Sequence, residues 1–194
     1  MSTPQPEPAV MIIHDGGLGA LVATLMTIDR SDDVRVIAWA PASGSSLVTP
    51  GAPAWAGRVA VLQQQAAVLD LAEVVEPEPL PTSSSDRGAP AWPRSGNVDA
   101  ARDLLRAIAD AEARGCERVI WPIVCGDDLD ATYAASELAR LVSRIAELDQ
   151  RRGGPWLDLP LADLTTARLA DLAHDLDAPR TETWQQAGAD SEAA

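Results

Sequence analysis

The chain has 194 residues, enough for one domain with a sizeable core and too few for two full domains. Its formal net charge of −14 argues against broad contact with nucleic acid or an anionic membrane, since a phosphate surface is held mainly by Lys and Arg. All 15 basic residues are arginine, which excludes Schiff-base and lysine-base chemistry and any phosphate loop of the G-x-x-x-x-G-K-S/T type.

Residues 1–9 are polar and proline-rich with no apolar leader, so a flexible N-terminus is expected there. The apolar run 10–14 predicts a first strand and the stretch 21–28 a helix, with Asp15-Gly16-Gly17-Leu18-Gly19-Ala20 between them. Adjacent glycines can turn backbone N–H groups toward an anion with no Cβ in the way, and a helix N-terminus adds roughly half a positive charge. The same turn can also serve only to start the helix, with no ligand. Residues 34–40 predict a central parallel strand, 58–71 a helix and 73–76 a short edge strand. The Pro/Ser/Gly-rich stretch 77–97 is longer than an ordinary connection and is expected to be a mobile loop over the site.

A helix over 98–115 turns Leu104, Leu105, Ile108 and Ala111 to one face and stops at Gly115. Residues 118–124 predict a buried strand, although Pro122 cannot give its N–H to a ladder. The next helix carries Leu138, Leu141, Val142, Ile145 and Leu148 at helical spacing. A short strand follows at 156–159, then a last helix from 163 with Leu169, Leu172 and Leu176 inward, and a disordered acidic tail at 185–194. Strands alternating with helices predict a three-layer α/β domain over 10–184 with a mostly parallel sheet. Its ligand site is expected where the strand order reverses, with the loops 14–19 and 125–130 facing each other.

The side chains near these loops allow more than one role. His14 can donate to a phosphate or act as a general acid, or can be satisfied by backbone at a strand end. Asp127, Asp128 and Asp130 can hold magnesium or cap the following helix. Trp39 and Trp121 are expected in the core, and Trp55 and Trp92 in loops where an aromatic can stack on a base. Cys116 and Cys125 are too far apart in the chain for a C-x-x-C clip, and the two histidines are scattered, so no zinc is expected. No apolar run reaches the length of a membrane span, and a cytoplasmic location is expected.

Three segments resemble the PP-loop ATP pyrophosphatases, most closely the 7-cyano-7-deazaguanine synthases of queuosine and deazaguanine biosynthesis. The Ser-Gly-Gly-x-Asp-Ser loop of that family falls on Asp15 to Ala20, and its Arg-Asn pair falls at Ser95-Gly96-Asn97, where only Asn97 agrees. Its closing Pro-Leu-x-x-Leu-Thr-Lys and Thr-Trp-Ser-Cys patterns fall on Pro160 to Thr166 and on Thr183-Trp184-Gln185-Gln186. The resemblance implies a Rossmann-like fold of the adenine nucleotide alpha hydrolase type. It also implies ATP with magnesium as cofactors, and adenylation of a carboxylate with release of pyrophosphate. On that basis His14, Asp15, Gly16, Gly17, Leu18, Gly19, Trp39 and Gly126 would hold the nucleotide. Asn97, Asp127, Asp130 and Tyr133 would hold substrate, and Asp15 and Asp128 magnesium.

The departures are chemical. Asp15 replaces the first serine of the loop, Gly19 its aspartate and Ala20 its last serine, while Thr166 replaces lysine and Gln186 the first of the zinc-binding cysteines. Three readings follow: an ATP-dependent ligase, a binding or partner protein that has lost the ATP chemistry, and a universal-stress-like nucleotide sensor. The second accounts best for losses confined to the site. Its expected partners are a nucleotide or deazapurine and a second copy or another protein. The substitutions Asp15→Ser, Gly19→Asp and Ala20→Ser together would rebuild the loop of the family.

Overall fold

The computed structural model describes residues 8–30, 33–42, 45–49, 51–77, 96–149, 154–179 and 183. The expectations for the N-terminus, the loop after residue 77, Trp92 and the tail lie largely or wholly outside them. Five strands, β1 (Ala9–Ile13), β2 (Arg35–Trp39), β3 (Glu73–Val75), β4 (Arg118–Ile120) and β5 (Trp156–Asp158), form one sheet. All pairings are parallel and the order is β3-β2-β1-β4-β5, so the direction of winding reverses between β1 and β4. The helices are α1 (Leu18–Asp29), α2 (Trp55–Val68), α3 (Gly96–Ala113), α4 (Leu129–Asp149) and α5 (Thr166–Asp175).

Alternation along the strands divides the core into two faces. Met11, Ile13, Ile37, Trp39, Val119 and Leu157 pack with α3 and α4. Val10, Ile12, Val36 and Ile120 face α1 and α5. Ala38 and Ala40 extend that second face to meet Leu62 of α2. The expected three-layer α/β architecture with a parallel sheet is the one observed. No helix of the described residues is long and apolar enough to cross a membrane.

The boundaries moved where local chemistry decides them. β4 stops at Ile120 and not at 124, because Pro122 has no N–H to continue the ladder after Trp121 donates to the Asp158 carbonyl at 2.8 Å. The last helix starts at Thr166 and not at 163, because the Thr165 hydroxyl accepts the Arg168 N–H at 3.2 Å and sets the N-cap. On α4, Ala135, Ala139, Val142 and Ala146 are buried, while Leu141, Ile145 and Leu148 are exposed. Small residues let this helix lie close to the sheet, so its large aliphatic residues are left on the outer side.

Trp39 is fully buried on the α3 side, and its indole N–H donates to Asp110 Oδ2 at 2.8 Å. Trp39→Phe removes that bond and part of a buried ring system, leaving a cavity. The expected result is a loss of about 2–4 kcal/mol in stability, read from the urea midpoint.

Candidate functional site

The carboxyl ends of β1 and β4 lie side by side at the point where the sheet reverses direction, which is where open α/β sheets hold ligands. A cavity of about 320 Å³ opens there. Its walls come from the end of β1 (Ile13, Asp15), the start of α1 (Gly19, Ala20), the chain leaving β4 (Trp121 to Val124) and the start of α5 (Thr166, Leu169). The segment Ser46 to Thr49, between β2 and α2, completes it.

The glycine loop is held together by its own side chains. The His14 N–H donates to the Trp39 carbonyl at 2.8 Å, carrying the β1 ladder one residue past the strand. Gly16 turns the chain at φ +82°, a conformation that favours glycine, and its N–H donates to His14 Nδ1 at 3.2 Å. The Gly17 N–H donates to Asp15 Oδ1 at 2.8 Å. The other carboxylate oxygen, Oδ2, accepts the Thr49 N–H at 3.0 Å. Asp15 is only 7% exposed, so one buried carboxylate ties the turn to the segment that roofs the cavity. That segment has a second anchor, because the Ser45 hydroxyl donates to Asp103 Oδ2 on α3 and accepts the Leu47 N–H.

Gly19 is required by close approach. A Cβ at that position would lie 3.0 Å from the Pro122 carbonyl oxygen and 3.8 Å from Val124. The chain leaving β4 therefore rests against the first turn of α1.

Beneath the loop, on the α2 side, lies a buried polar group. Gln65 Nε2 donates to the Gly16 carbonyl at 3.3 Å. The Arg58 guanidinium lies 5.3 Å from the centre of the Trp55 ring, and its Nη2 donates to the Pro41 carbonyl at 3.5 Å. Burial lowers the arginine below its ordinary value, and the Asp15 carboxylate opposes the shift. Burial likewise pushes the His14 imidazole down to about 4, with Asp15 opposing. His14 is therefore neutral at pH 7, and because Nδ1 accepts, its proton sits on Nε2. Among the described residues, His14 Nε2 and Arg58 Nε and Nη1 have no hydrogen-bond partner.

Only part of the expected site comes together. Asp15 and Gly19 line the cavity, and His14, Gly16 and Gly17 are buried beside it, while Leu18 is half-buried in the first turn of α1 and outside the lining. Trp39 points into the core on the opposite face, because its place in the strand alternation assigns it there. Asn97 is exposed at the start of α3, and Tyr133 is exposed on α4. Gly126 makes the turn after β4, its N–H donating to the Leu164 carbonyl at 3.1 Å. Asp127, Asp128 and Asp130 are exposed beyond it, and Asp128 Oδ1 accepts the Ala131 N–H at 2.9 Å, which is the capping role. The loop 125–130 thus docks on residues 162–164 and does not enter the cavity lining.

The residues present do not fit a triphosphate or its magnesium. The Gly16 and Gly17 N–H groups already serve His14 and Asp15, and among the described residues no arginine lines the cavity. No three His, Cys, Asp or Glu side chains converge among the described residues, and the Asp15 oxygens each hold a backbone N–H. The walls supplied by Ser46 to Thr49, Trp121, Thr166 and Leu169 were not legible as site residues. Only the topology brings them to one place.

Neither a family model nor a curated protein sequence matches the chain. Solved structures do match. NMN synthetase from Francisella tularensis superposes with a TM-score of 0.59 at 15% identity, over 91% of this chain and 65% of its own. The U34-tRNA thiolase NcsA from Methanococcus maripaludis, described with its [4Fe-4S] cluster, gives 0.53 at 12% identity, over 90% and 59%. NAD+ synthetase from Burkholderia pseudomallei gives 0.50 at 18% identity, over 92% and 62%. The shared feature is the fold, a parallel five-stranded α/β sheet of the Rossmann-like, adenine nucleotide alpha hydrolase type. This chain spans about three-fifths to two-thirds of the length of those neighbours.

Two substitutions test the loop. His14→Asn keeps an acceptor for the Gly16 N–H and removes the titration. In the natural protein the unfolded chain takes up a proton near pH 6.5 that the folded state resists until about 4. Stability therefore falls as pH drops through that window, by up to about 1.4 kcal/mol per pH unit. Urea unfolding between pH 5.5 and 7 should show this slope, and His14→Asn should flatten it. Gly19→Ala should cost up to about 2 kcal/mol, the shift forced on the Pro122 carbonyl, about 1–3 kcal/mol, set against about 0.5–1 kcal/mol gained in helix propensity.

Proposed function

We propose that the chain is a divergent PP-loop protein, related to the 7-cyano-7-deazaguanine synthases, that keeps a base-sized pocket but has lost ATP-dependent activation of a carboxylate. It acts as a binding or partner protein. The observation that carries this reading is the Asp15 carboxylate on the Gly17 N–H, where the resemblance puts a phosphate. A carboxylate about 4 Å from a phosphate charge costs roughly 4 kcal/mol at an effective dielectric of 20. A hydrogen bond to a charged group recovers about 1.5–3 kcal/mol, and a helix N-terminus about 0.3–1 kcal/mol, so one such contact at best offsets the repulsion and leaves no net affinity.

The loop also lacks the side chains that would neutralise a departing pyrophosphate. Each missing donor costs on the order of 10²-fold in rate, so two reduce a typical turnover of about 10 s⁻¹ to about 10⁻³ s⁻¹. Replacing the lost groups is not a matter of three side chains, since Gly19→Asp would drive a Cβ toward the Pro122 carbonyl.

The test is pyrophosphate release from ATP and magnesium, with 7-carboxy-7-deazaguanine and ammonia as co-substrates. Release no faster than about 10⁻³ s⁻¹ is expected from the natural protein. Asp15→Ser, which removes the repelling charge and offers a hydroxyl, should raise ATP affinity at least tenfold without producing turnover. Enzyme-like release of pyrophosphate by the natural protein would overturn the reading.

A further inference from the structure

We infer that the cavity between β1 and β4 takes a phosphate-free ligand with an apolar body of purine size and an N–H or cationic amine edge turned toward Asp15. The inference rests on the reading above and names the ligand class for the same pocket.

The cavity volume of about 320 Å³ lies at the small end of ligand sites, and it suits a bicyclic base better than a nucleoside triphosphate. Asp15 is the one acidic side chain among the described residues that line it. Each carboxylate oxygen accepts one backbone N–H and keeps acceptor capacity beyond it. The Pro122 carbonyl at the base of α1 is a further acceptor on the wall. Ile13, Leu47, Val48, Trp121, Ile123 and Leu169 supply apolar surface, and Ser46, Thr49 and Thr166 carry hydroxyls that can donate or accept.

The pocket is thus rich in acceptors and short of fixed donors. A ligand that satisfies it has to bring the hydrogens itself. Phosphate oxygens only accept and add negative charge, whereas an amidine presents two parallel N–H groups that match a carboxylate and the amino group of adenine donates one. Burial strengthens the discrimination, because water cannot screen Asp15 at 7% exposure.

Calorimetric titration of the full chain with adenine, benzamidine, AMP and ATP tests this. Adenine and benzamidine should bind saturably, with AMP and ATP at least tenfold weaker than adenine. Thr166→Arg and Val48→Arg each place a guanidinium on a different wall of the cavity. Both should weaken benzamidine at least tenfold and narrow the gap between adenine and AMP, with the tryptophan near-ultraviolet signal unchanged as the check on folding. AMP or ATP binding as tightly as adenine overturns the inference, yet leaves the absence of turnover standing. Pyrophosphate release in the same tubes overturns the reading beneath it. Binding of none of the four at millimolar concentration also overturns the inference, as does a well-folded Thr166→Arg that weakens all four equally.

Discussion

The Asp15 carboxylate, held by the Gly17 N–H on one oxygen and the Thr49 N–H on the other, organises this end of the molecule. A buried carboxylate is costly unless its lone pairs are satisfied, and two backbone donors meet most of that demand. In exchange, the bond to Thr49 stitches the β2–α2 connection across the end of β1, so the cavity has a roof among the described residues. The glycine turn is a structural joint, and the anion it holds is a side chain of the chain itself. Serine could not make both contacts, because a hydroxyl has a single oxygen where the carboxylate has two.

The opposite side of the loop supports this arrangement. His14, Gln65 and Arg58 are each buried beneath the turn, and the positive field of Arg58 reaches Asp15. A neutral imidazole accepting the Gly16 N–H and an amide donating to the Gly16 carbonyl hold that glycine from both ends. Polar burial of this kind favours one conformation over alternatives even where it adds little net stability. Gln65 sits a full two turns from the start of α2, so the helix is long enough to reach from the cavity roof to the underside of the loop.

The layer order, the parallel sheet and the pairing of the β1 and β4 ends could be read from the chain because alternation of strand and helix leaves few topologies open. Pro122 argued against a ladder by its absent N–H, yet the apolar run predicted a strand to 124, and β4 ends at Ile120. The site was less legible. Asp15 was readable as a negative charge beside the glycine turn, but its second partner, Thr49, lies 34 residues away, where no local pattern points. Tyr133, Asp127 and Asp130 look like site residues because they follow a strand. They fall outside because the loop after β4 hydrogen-bonds to residues 162–164 and carries them to the surface. The helical spacing on α4 was equally ambiguous, since Ala135, Ala139 and Ala146 join Val142 in the core while Leu141, Ile145 and Leu148 are exposed.

The contact between Gly19 and the Pro122 carbonyl couples the first turn of α1 to the chain leaving β4. A side chain at residue 19 meets main chain, not a void, so the β4 exit must give by a few tenths of an ångström to admit one. Pro122, with its fixed φ, limits how that exit can move. Two walls of the cavity therefore shift together or not at all, and the width between them is set by the absence of a single methyl group.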